Sequence, residues 1–132
     1  MNTQKYWGSA FAAGSWILVF GMLAHGVVLK DFWAANSSPA FLRPQGEQVM
    51  WAIVFACYMQ GYVLAYMFTK GHGNKGMMEG WRFGYLIGLF IVATYLFSYA
   101  FQPWSLLATM VAMISDMIMY IGAGLVLAKL YR

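Results

Sequence analysis

Residues 82–127, RFGYLIGLFIVATYLFSYAFQPWSLLATMVAMISDMIMYIGAGLVL, consist of two long apolar runs joined by the short connection QPW. A helix of about 20 apolar residues crosses the hydrocarbon core of a bilayer, which is about 30 Å thick. Each run is long enough to span a membrane in this way. Because the connection between them is so short, the two runs are predicted to form an antiparallel helical hairpin.

Two more apolar runs precede this hairpin and complete a set of four predicted spans. The connections KDFWAANSSPAFLRPQGEQ and TKGHGNKGMMEG are rich in Pro, Gly, Ser and Asn, which is typical of loops. The chain is therefore predicted to be an all-α integral membrane four-helix bundle with antiparallel neighbouring helices, in a single domain covering residues 1–132. The predicted spans are Gly8–Leu29, Val49–Phe68, Arg82–Phe101 and Ser105–Leu127.

The composition excludes an ordinary soluble domain. Of the 132 residues, 62% are hydrophobic and only 9% are charged, whereas about 25% of the residues of soluble proteins are charged. The net charge of +4 comes from basic residues that lie singly beside apolar segments, not from the basic stripe that would indicate nucleic-acid binding. The single cysteine, Cys57, excludes an intrachain disulfide, and there is no CxxC motif. The first apolar run is too long for a secretory signal, so it is expected to remain as a span.

The basic residues divide unequally between the two sides of this topology. Cytoplasmic loops retain Lys and Arg during insertion, so both termini and the second loop are predicted to be cytoplasmic, that is, N-in and C-in. On that side lie Lys5, Lys70, Lys75, Arg82, Lys129 and Arg132, against Lys30 and Arg43 on the other. Tryptophans near the predicted span ends, where indole rings favour the headgroup level, are Trp7, Trp33, Trp51, Trp81 and Trp104.

Small residues mark the faces on which membrane helices are expected to pack, because they allow backbones to approach closely. Gly80, Gly84 and Gly88 recur every four residues in the third span, and Gly14 and Gly21 share one face of the first span with His25. These glycines are predicted to be helix-packing positions. Packing inside the chain and contact between copies in an oligomer are both consistent with the pattern.

Three stretches resemble a family: AHGVVLKDFW, YMFTKGHGNKGMMEGWRFGYLIGLF and the ending GAGLVLAKLYR. They are similar to a group of small uncharacterised bacterial inner-membrane proteins with four predicted helices. The resemblance covers most of the chain. It implies the four-helix architecture and a bacterial inner-membrane location, and it implies no activity or cofactor.

Asp116 is a carboxylate in the middle of the fourth span. Burying an ionised Asp near the bilayer centre costs about 2.5 to 3.5 kcal/mol on insertion scales. One hypothesis is that Asp116 binds and releases a proton or cation; another is that it is neutral and donates one interhelical hydrogen bond; a third is that it pairs with a basic residue of a partner subunit. Counted by helical rise, the residues near its depth are Val19, Cys57 and Ala93, and the candidate polar partners are Gln60, Thr94 and Tyr95.

His25 is predicted to lie about 26 Å along the first span, near the periplasmic surface, far in depth from Asp116 and in an interfacial hydrogen bond. Haem ligation would need a second ligand, and His72 is predicted to lie across the membrane. Copper is considered because thioether sulfur suits Cu(I). Met110, Met113 and Met117 form one stripe of the fourth span, but Met also fills irregular gaps. No metal or other cofactor is therefore predicted.

Glu79 and Arg82, three residues apart at the start of the third span, are predicted to form an exposed ion pair at the membrane surface. Binding of an anionic headgroup or a partner protein is the alternative. The sequence shows no combination of nucleophile, base and carboxylate at compatible depths. No catalytic residue is predicted, and the protein is not expected to be an enzyme.

These observations favour an accessory or scaffolding subunit that contacts other membrane proteins, lipid or copies of itself through its helices. The main alternative is a small homo-oligomeric proton- or ion-coupled transporter or channel that uses Asp116, with its pore at the subunit interface supplied by the glycine faces. A redox subunit holding haem or quinone is a third class, for which His25 is the only support.

Overall fold

The computed structural model describes residues 2–37, 43–44, 46–71, 73 and 75–131. These residues form helices and no strands. Helix α1 continues into a five-residue π-helical turn, Ala24–Val28, and is followed by the short helix α2. The α-helices are α1 (Thr3–Leu23), α2 (Lys30–Asn36), α3 (Met50–Gly71), α4 (Met77–Phe101) and α5 (Leu106–Leu130).

Four segments are long and apolar enough to cross a membrane: Thr3–Val28, Met50–Gly71, Met77–Phe101 and Leu106–Leu130. The predicted all-α fold with four membrane helices is confirmed, and the chain is a multi-pass membrane protein. Helices α1 and α4 begin before the predicted spans do. Basic side chains at these ends can place their charge in water while their alkyl stems cover apolar surface, so the helices extend beyond the purely apolar runs.

The helices pack as two antiparallel pairs, α1 with α3 and α4 with α5, and α1 joins the pairs by packing on α5. Phe68, near the end of α3, contacts the ring of Tyr131 after α5, and Tyr6 contacts Tyr62. Tyr6 and Tyr131 therefore lie at the same end of the bundle, called here the terminal end. The opposite end, which carries Lys30 and Gln48, is called the loop end.

The buried core is concentrated in the terminal half of the bundle. Within the described residues, α1 has no buried residue after Ile17, α3 has none before Gly61, and α4 has none after Gly88. The core there includes Leu127 and Ala65, both with 0% exposure. In the loop half, α5 remains buried at Ala108, Thr109 and Ala112, whereas α1, α3 and α4 have no buried residue there among the described residues.

Gly80, Gly84 and Gly88 lie buried against α5. A Cβ atom at Gly84 would collide with the carbonyl oxygen of Tyr120, and one at Gly88 would collide with the sulfur of Met117. The chain itself therefore uses this glycine face for close backbone packing. The interface between copies that the transporter hypothesis placed on the glycine faces is not available here.

Gly14 and Gly61 lie where α1 crosses α3. A Cβ at Gly61 would stand 2.5 Å from the carbonyl oxygen of Ala10 and from the backbone nitrogen of Gly14. Gly21 does not pack against another helix of the same chain, because no atom lies within 4 Å of a Cβ built there; contact between copies at Gly21 stays a prediction. Gly21 is two helical turns farther along α1, where α1 and α3 have separated and a cavity lies between them.

Candidate functional site

His25 and Asp116 lie beside each other in the membrane-spanning part of the bundle. The Nε2 atom of His25 is 3.5 Å from Oδ1 of Asp116, and the two side chains are 33% and 13% exposed. The prediction that His25 lies far in depth from Asp116 is wrong.

The direction of the side chains helps to bring these residues together. Cα–Cβ bonds tilt toward the N-terminus of their own helix. Because α1 and α5 run in opposite directions, the His25 side chain leans toward the terminal end and the Asp116 side chain leans toward the loop end. Each therefore leans toward the other.

His25 belongs to the π-helical turn, in which the backbone N–H of Leu29 donates to the carbonyl oxygen of Ala24 at 2.8 Å. π-Helical turns are rare in proteins, and those that occur are often found at functional sites. The turn has no buried residue, and a Cβ at Gly26 would meet no atom within 4 Å. The backbone that carries His25 is therefore not fixed by close packing.

Trp33 on α2 holds the other ring nitrogen of His25. Its indole N–H donates to Nδ1 at 3.0 Å. An indole nitrogen can only donate, so Nδ1 accepts and carries no proton. In this neutral imidazole the proton is on Nε2, which faces Asp116 and lies 3.4 Å from the hydroxyl oxygen of Ser115.

Tyr95 on α4 completes the surroundings of the carboxylate. Its hydroxyl donates to Oδ2 of Asp116 at 2.8 Å. Asp116 therefore faces donors at both oxygens, from Tyr95 and from His25, and this pattern suits an ionised carboxylate. It does not suit the neutral Asp116 that one hypothesis described as a hydrogen-bond donor. Four elements supply the site: the π-helical turn, α2, α4 and α5.

The other two candidate partners of Asp116 lie elsewhere. The side-chain oxygen of Gln60 accepts a hydrogen bond from the hydroxyl of Tyr120 at 3.0 Å, so Gln60 lies next to the site without bonding to Asp116. The Thr94 hydroxyl donates to the carbonyl oxygen of Phe90, one turn back on its own exposed helix face, at 3.1 Å. Thr94 is at the predicted depth but points away from the carboxylate.

Sequence reasoning missed Trp33, Ser115 and Tyr120. Ser115 directly precedes Asp116 in the chain, so the sequence alone indicates that its hydroxyl is close to the carboxylate. The prediction of Trp33 as a headgroup-level residue did not indicate that His25 is its hydrogen-bond partner. The hydrogen bond from Tyr120 to Gln60 joins α5 to α3, and no local pattern indicates that contact.

Glu79 does not make the predicted ion pair with Arg82. Its carboxylate accepts hydrogen bonds from the backbone N–H groups of Gly73 and of Lys75, the latter at 2.9 Å. Glu79 occupies the third position of α4, from which an acidic side chain reaches back to backbone donors before the helix. These hydrogen bonds stabilise the Glu79 carboxylate and hold the connection between α3 and α4 against α4. The Arg82 side chain is exposed.

A cavity of about 620 Å³, called here the His25 cavity, lies between α1 and α3 near the loop end. Lys30 and Gln48 stand at its loop-end rim, and Cys57 is its deepest residue along α3. The residues that line it include Leu18, Gly21, His25, Lys30, Gln48 and Cys57. A second cavity of about 280 Å³, on the terminal side of the site, is lined by Gln60 and Tyr120 among apolar residues.

The hypotheses of haem ligation by His25 and of copper binding by methionines can be compared with the positions of these side chains. Met117 packs against Gly88, and Met110 is 46% exposed. Both ring nitrogens of His25 face protein groups, and His72 lies outside the described residues. Among the described residues, no group of three or more His, Cys, Asp and Glu is arranged to hold a metal ion.

Comparison of the chain with protein-family models, curated proteins and solved structures gives no match. The chemistry of the site must therefore be inferred from its own residues.

Proposed function

We propose that this protein is a small proton-coupled transporter or channel that binds and releases a proton at the pair formed by His25 and Asp116. The observation that carries the proposal is the 3.5 Å contact of an imidazole with a carboxylate between membrane-spanning helices. Ionisable groups at such positions are costly, and in membrane proteins they mark proton and ion pathways. Histidine is the side chain whose charge changes near physiological pH.

The charges of the pair favour uptake of one proton. With His25 neutral and Asp116 ionised, the site holds an isolated negative charge in a largely apolar region, which is costly. Adding a proton to the imidazole gives an imidazolium beside a carboxylate, and the pair becomes neutral as a whole. Proton binding therefore lowers the cost of burying Asp116.

Trp33 controls access to the atom that receives the proton. Nδ1 of His25 is the nitrogen without a proton, and the indole N–H of Trp33 occupies its lone pair at 3.0 Å. Since an indole N–H cannot accept a hydrogen bond, a proton on Nδ1 requires Trp33 to move away. Helix α2, which carries Trp33, packs on the π-helical turn, so uptake of the proton is coupled to movement of α2.

The cavities suggest the direction of proton movement. The His25 cavity reaches the site from the loop end, whereas the terminal end is closed by the buried core. On the other side of Asp116, Tyr120 and Gln60 lead to the smaller cavity between α3 and α4. The unequal distribution of basic residues supports a cytoplasmic terminal end, in a bacterial inner membrane as the sequence resemblance implies. The proton would then enter from the periplasmic side.

An accessory or scaffolding subunit is the second candidate function. Helix α4 presents large apolar side chains outward, among them Phe90 at 71%, Phe97 at 69% and Phe101 at 78% exposure. This surface suits contact with lipid or with another membrane protein, including a second copy of the chain. In that case the contact of His25 with Asp116 serves only to fix the register of α1 and α5.

Proton flux into proteoliposomes distinguishes the two candidates. With an internal pH-sensitive dye and an inside-negative potential, we expect the wild-type protein to acidify the lumen, and His25→Gln and Asp116→Asn to abolish the flux. Thr94→Val is the matched control, since the Thr94 hydroxyl bonds only within its own helix among the described residues. Equal acidification by the wild type and both site variants, all correctly folded, would exclude proton transfer at this pair and favour the accessory function.

A further inference from the structure

The His25 cavity has the size and shape of a small-molecule site. Its volume of about 620 Å³ lies within the range of about 300 to 1,000 Å³ that is usual for ligand pockets. Along α3 it extends from Met50 to Cys57, which corresponds to about 10 Å of helix, and Gln48 lies just before the helix. Gly21 and Gly26 leave this space open, because no atom lies within 4 Å of a Cβ at either position.

The lining of the cavity is amphipathic along its length. Apolar side chains, including Ile17, Leu18 and Ile53, form most of its wall. At the rim the lining becomes polar, with the ammonium group of Lys30 and the amide of Gln48. Among the lining residues only Lys30 carries a fixed charge, and no described residue forms an ion pair with it.

We infer that this cavity binds an amphipathic organic monocarboxylate, with its carboxylate at Lys30 and Gln48 and its apolar body against the wall formed by α1 and α3. A single ammonium group balances a single negative charge, so it favours a monoanion over a dianion. The same charge disfavours an organic cation. The apolar wall adds the hydrophobic contribution that small inorganic anions cannot provide.

The inference rests on the proposed function in one respect, which is that the ligand and the proton share a site. His25 lines the cavity and also contacts Asp116. A carboxylate bound at the rim and a proton bound on His25 add no net charge to the membrane interior.

Photolabelling in lipid nanodiscs tests this ligand class. The probe is an octanoic acid that carries an aliphatic diazirine, with its methyl ester as the uncharged control, and the crosslinks are mapped by mass spectrometry. We expect the acid to label residues 17–30 and 48–57, and unlabelled octanoate to compete with it. Lys30→Gln should lower this labelling by about tenfold, which corresponds to the loss of one charge-assisted contact.

A matched pair of glycine variants separates binding in the cavity from partitioning into lipid. Gly21→Leu fills the cavity, whereas Gly8→Leu adds the same side chain to α1 at another position where no atom lies within 4 Å of a Cβ. Labelling should fall in Gly21→Leu and persist in Gly8→Leu. If the ester labels as strongly as the acid, or if the two glycine variants behave alike, the inference is overturned.

The two proposals fail in different ways. If proton flux depends on His25 but the acid does not label the cavity, the ligand class is wrong and the proton site stands. If the acid labels the cavity in a Lys30-dependent manner but flux is the same in His25→Gln, the ligand class stands and the proposed proton transfer is wrong.

Discussion

The indole N–H of Trp33 donates to Nδ1 of His25 at 3.0 Å, while the other nitrogen of the same ring lies 3.5 Å from Asp116. One imidazole therefore connects the short helix α2 to α5 in the interior of the bundle. A change in the protonation of His25 alters both contacts at once. The position of α2 is thus linked chemically to the charge of the intramembrane pair.

Replacing Trp33 by Phe should loosen α2. The change removes the N–H donor and keeps an aromatic ring, so it deletes a hydrogen bond worth about 1 kcal/mol. We expect the backbone amides of residues 30–36 to exchange hydrogen about fivefold faster, as measured by mass spectrometry in nanodiscs. Trp104→Phe is the control, because its N–H donates to Gln102 within its own loop. Unchanged exchange in Trp33→Phe would show that this bond does not hold α2.

Removing His25 should destabilise the bundle more than removing the charge of Asp116. His25→Gln leaves the buried carboxylate without its imidazole, at a cost of about 1.5 to 3 kcal/mol, whereas Asp116→Asn leaves no isolated charge. The double variant should cost less than the sum of the single variants, with a coupling of about 1 kcal/mol. Equilibrium unfolding in bicelles gives the free energies of unfolding of the wild type, the two single variants and the double variant. Strict additivity would indicate that the two side chains do not interact.

Tyr95→Phe should affect the site without disturbing the helix. The variant removes the donor to Oδ2 of Asp116 and leaves the ring, so we expect a loss of about 1 to 3 kcal/mol in stability and slower proton flux. Tyr99→Phe, one turn farther along α4 at a residue with 39% exposure, is the matched control. Identical losses in the two variants would mean that the contact of Tyr95 with Asp116 has no special role.

Gly84→Ala should separate α4 from α5. Its new methyl group would collide with backbone atoms of Tyr120 and Ile121, which cannot rotate away. We expect a destabilisation of about 2 to 3 kcal/mol in the unfolding assay, as for overpacking of other close contacts. Gly21→Ala should instead change stability by less than about 0.5 kcal/mol, since it meets open space. A similar cost for both alanines would contradict the packing described for α4 and α5.

The sequence was most informative where one property of one segment decided the outcome. Four apolar runs were sufficient to predict the membrane helices, because the bilayer requires that length whatever the packing. The spacing of Gly80, Gly84 and Gly88 identified a face that lies against α5. Counting helical rise placed Tyr95 at the depth of Asp116, and the two side chains are in contact.

Contacts between distant segments were predicted poorly. The proximity of His25 to Asp116 involves the opposite lean of the two side chains and a π-helical turn, and no local pattern indicates it. Gly21 and Gly14 have the same chemistry and share a helix face, but only Gly14 lies where α3 is close. The Glu79 carboxylate could accept hydrogen bonds either from Arg82 or from backbone N–H groups of the preceding loop. In the structure it accepts them from the backbone.

The unequal distribution of the core has a mechanical consequence. Close glycine crossings and buried side chains hold the terminal halves of the helices together, while among the described residues of the loop halves only α5 has buried positions. Separation of α1 from α3 at the loop end would change the width of the His25 cavity, with the crossing at Gly14 and Gly61 as the hinge.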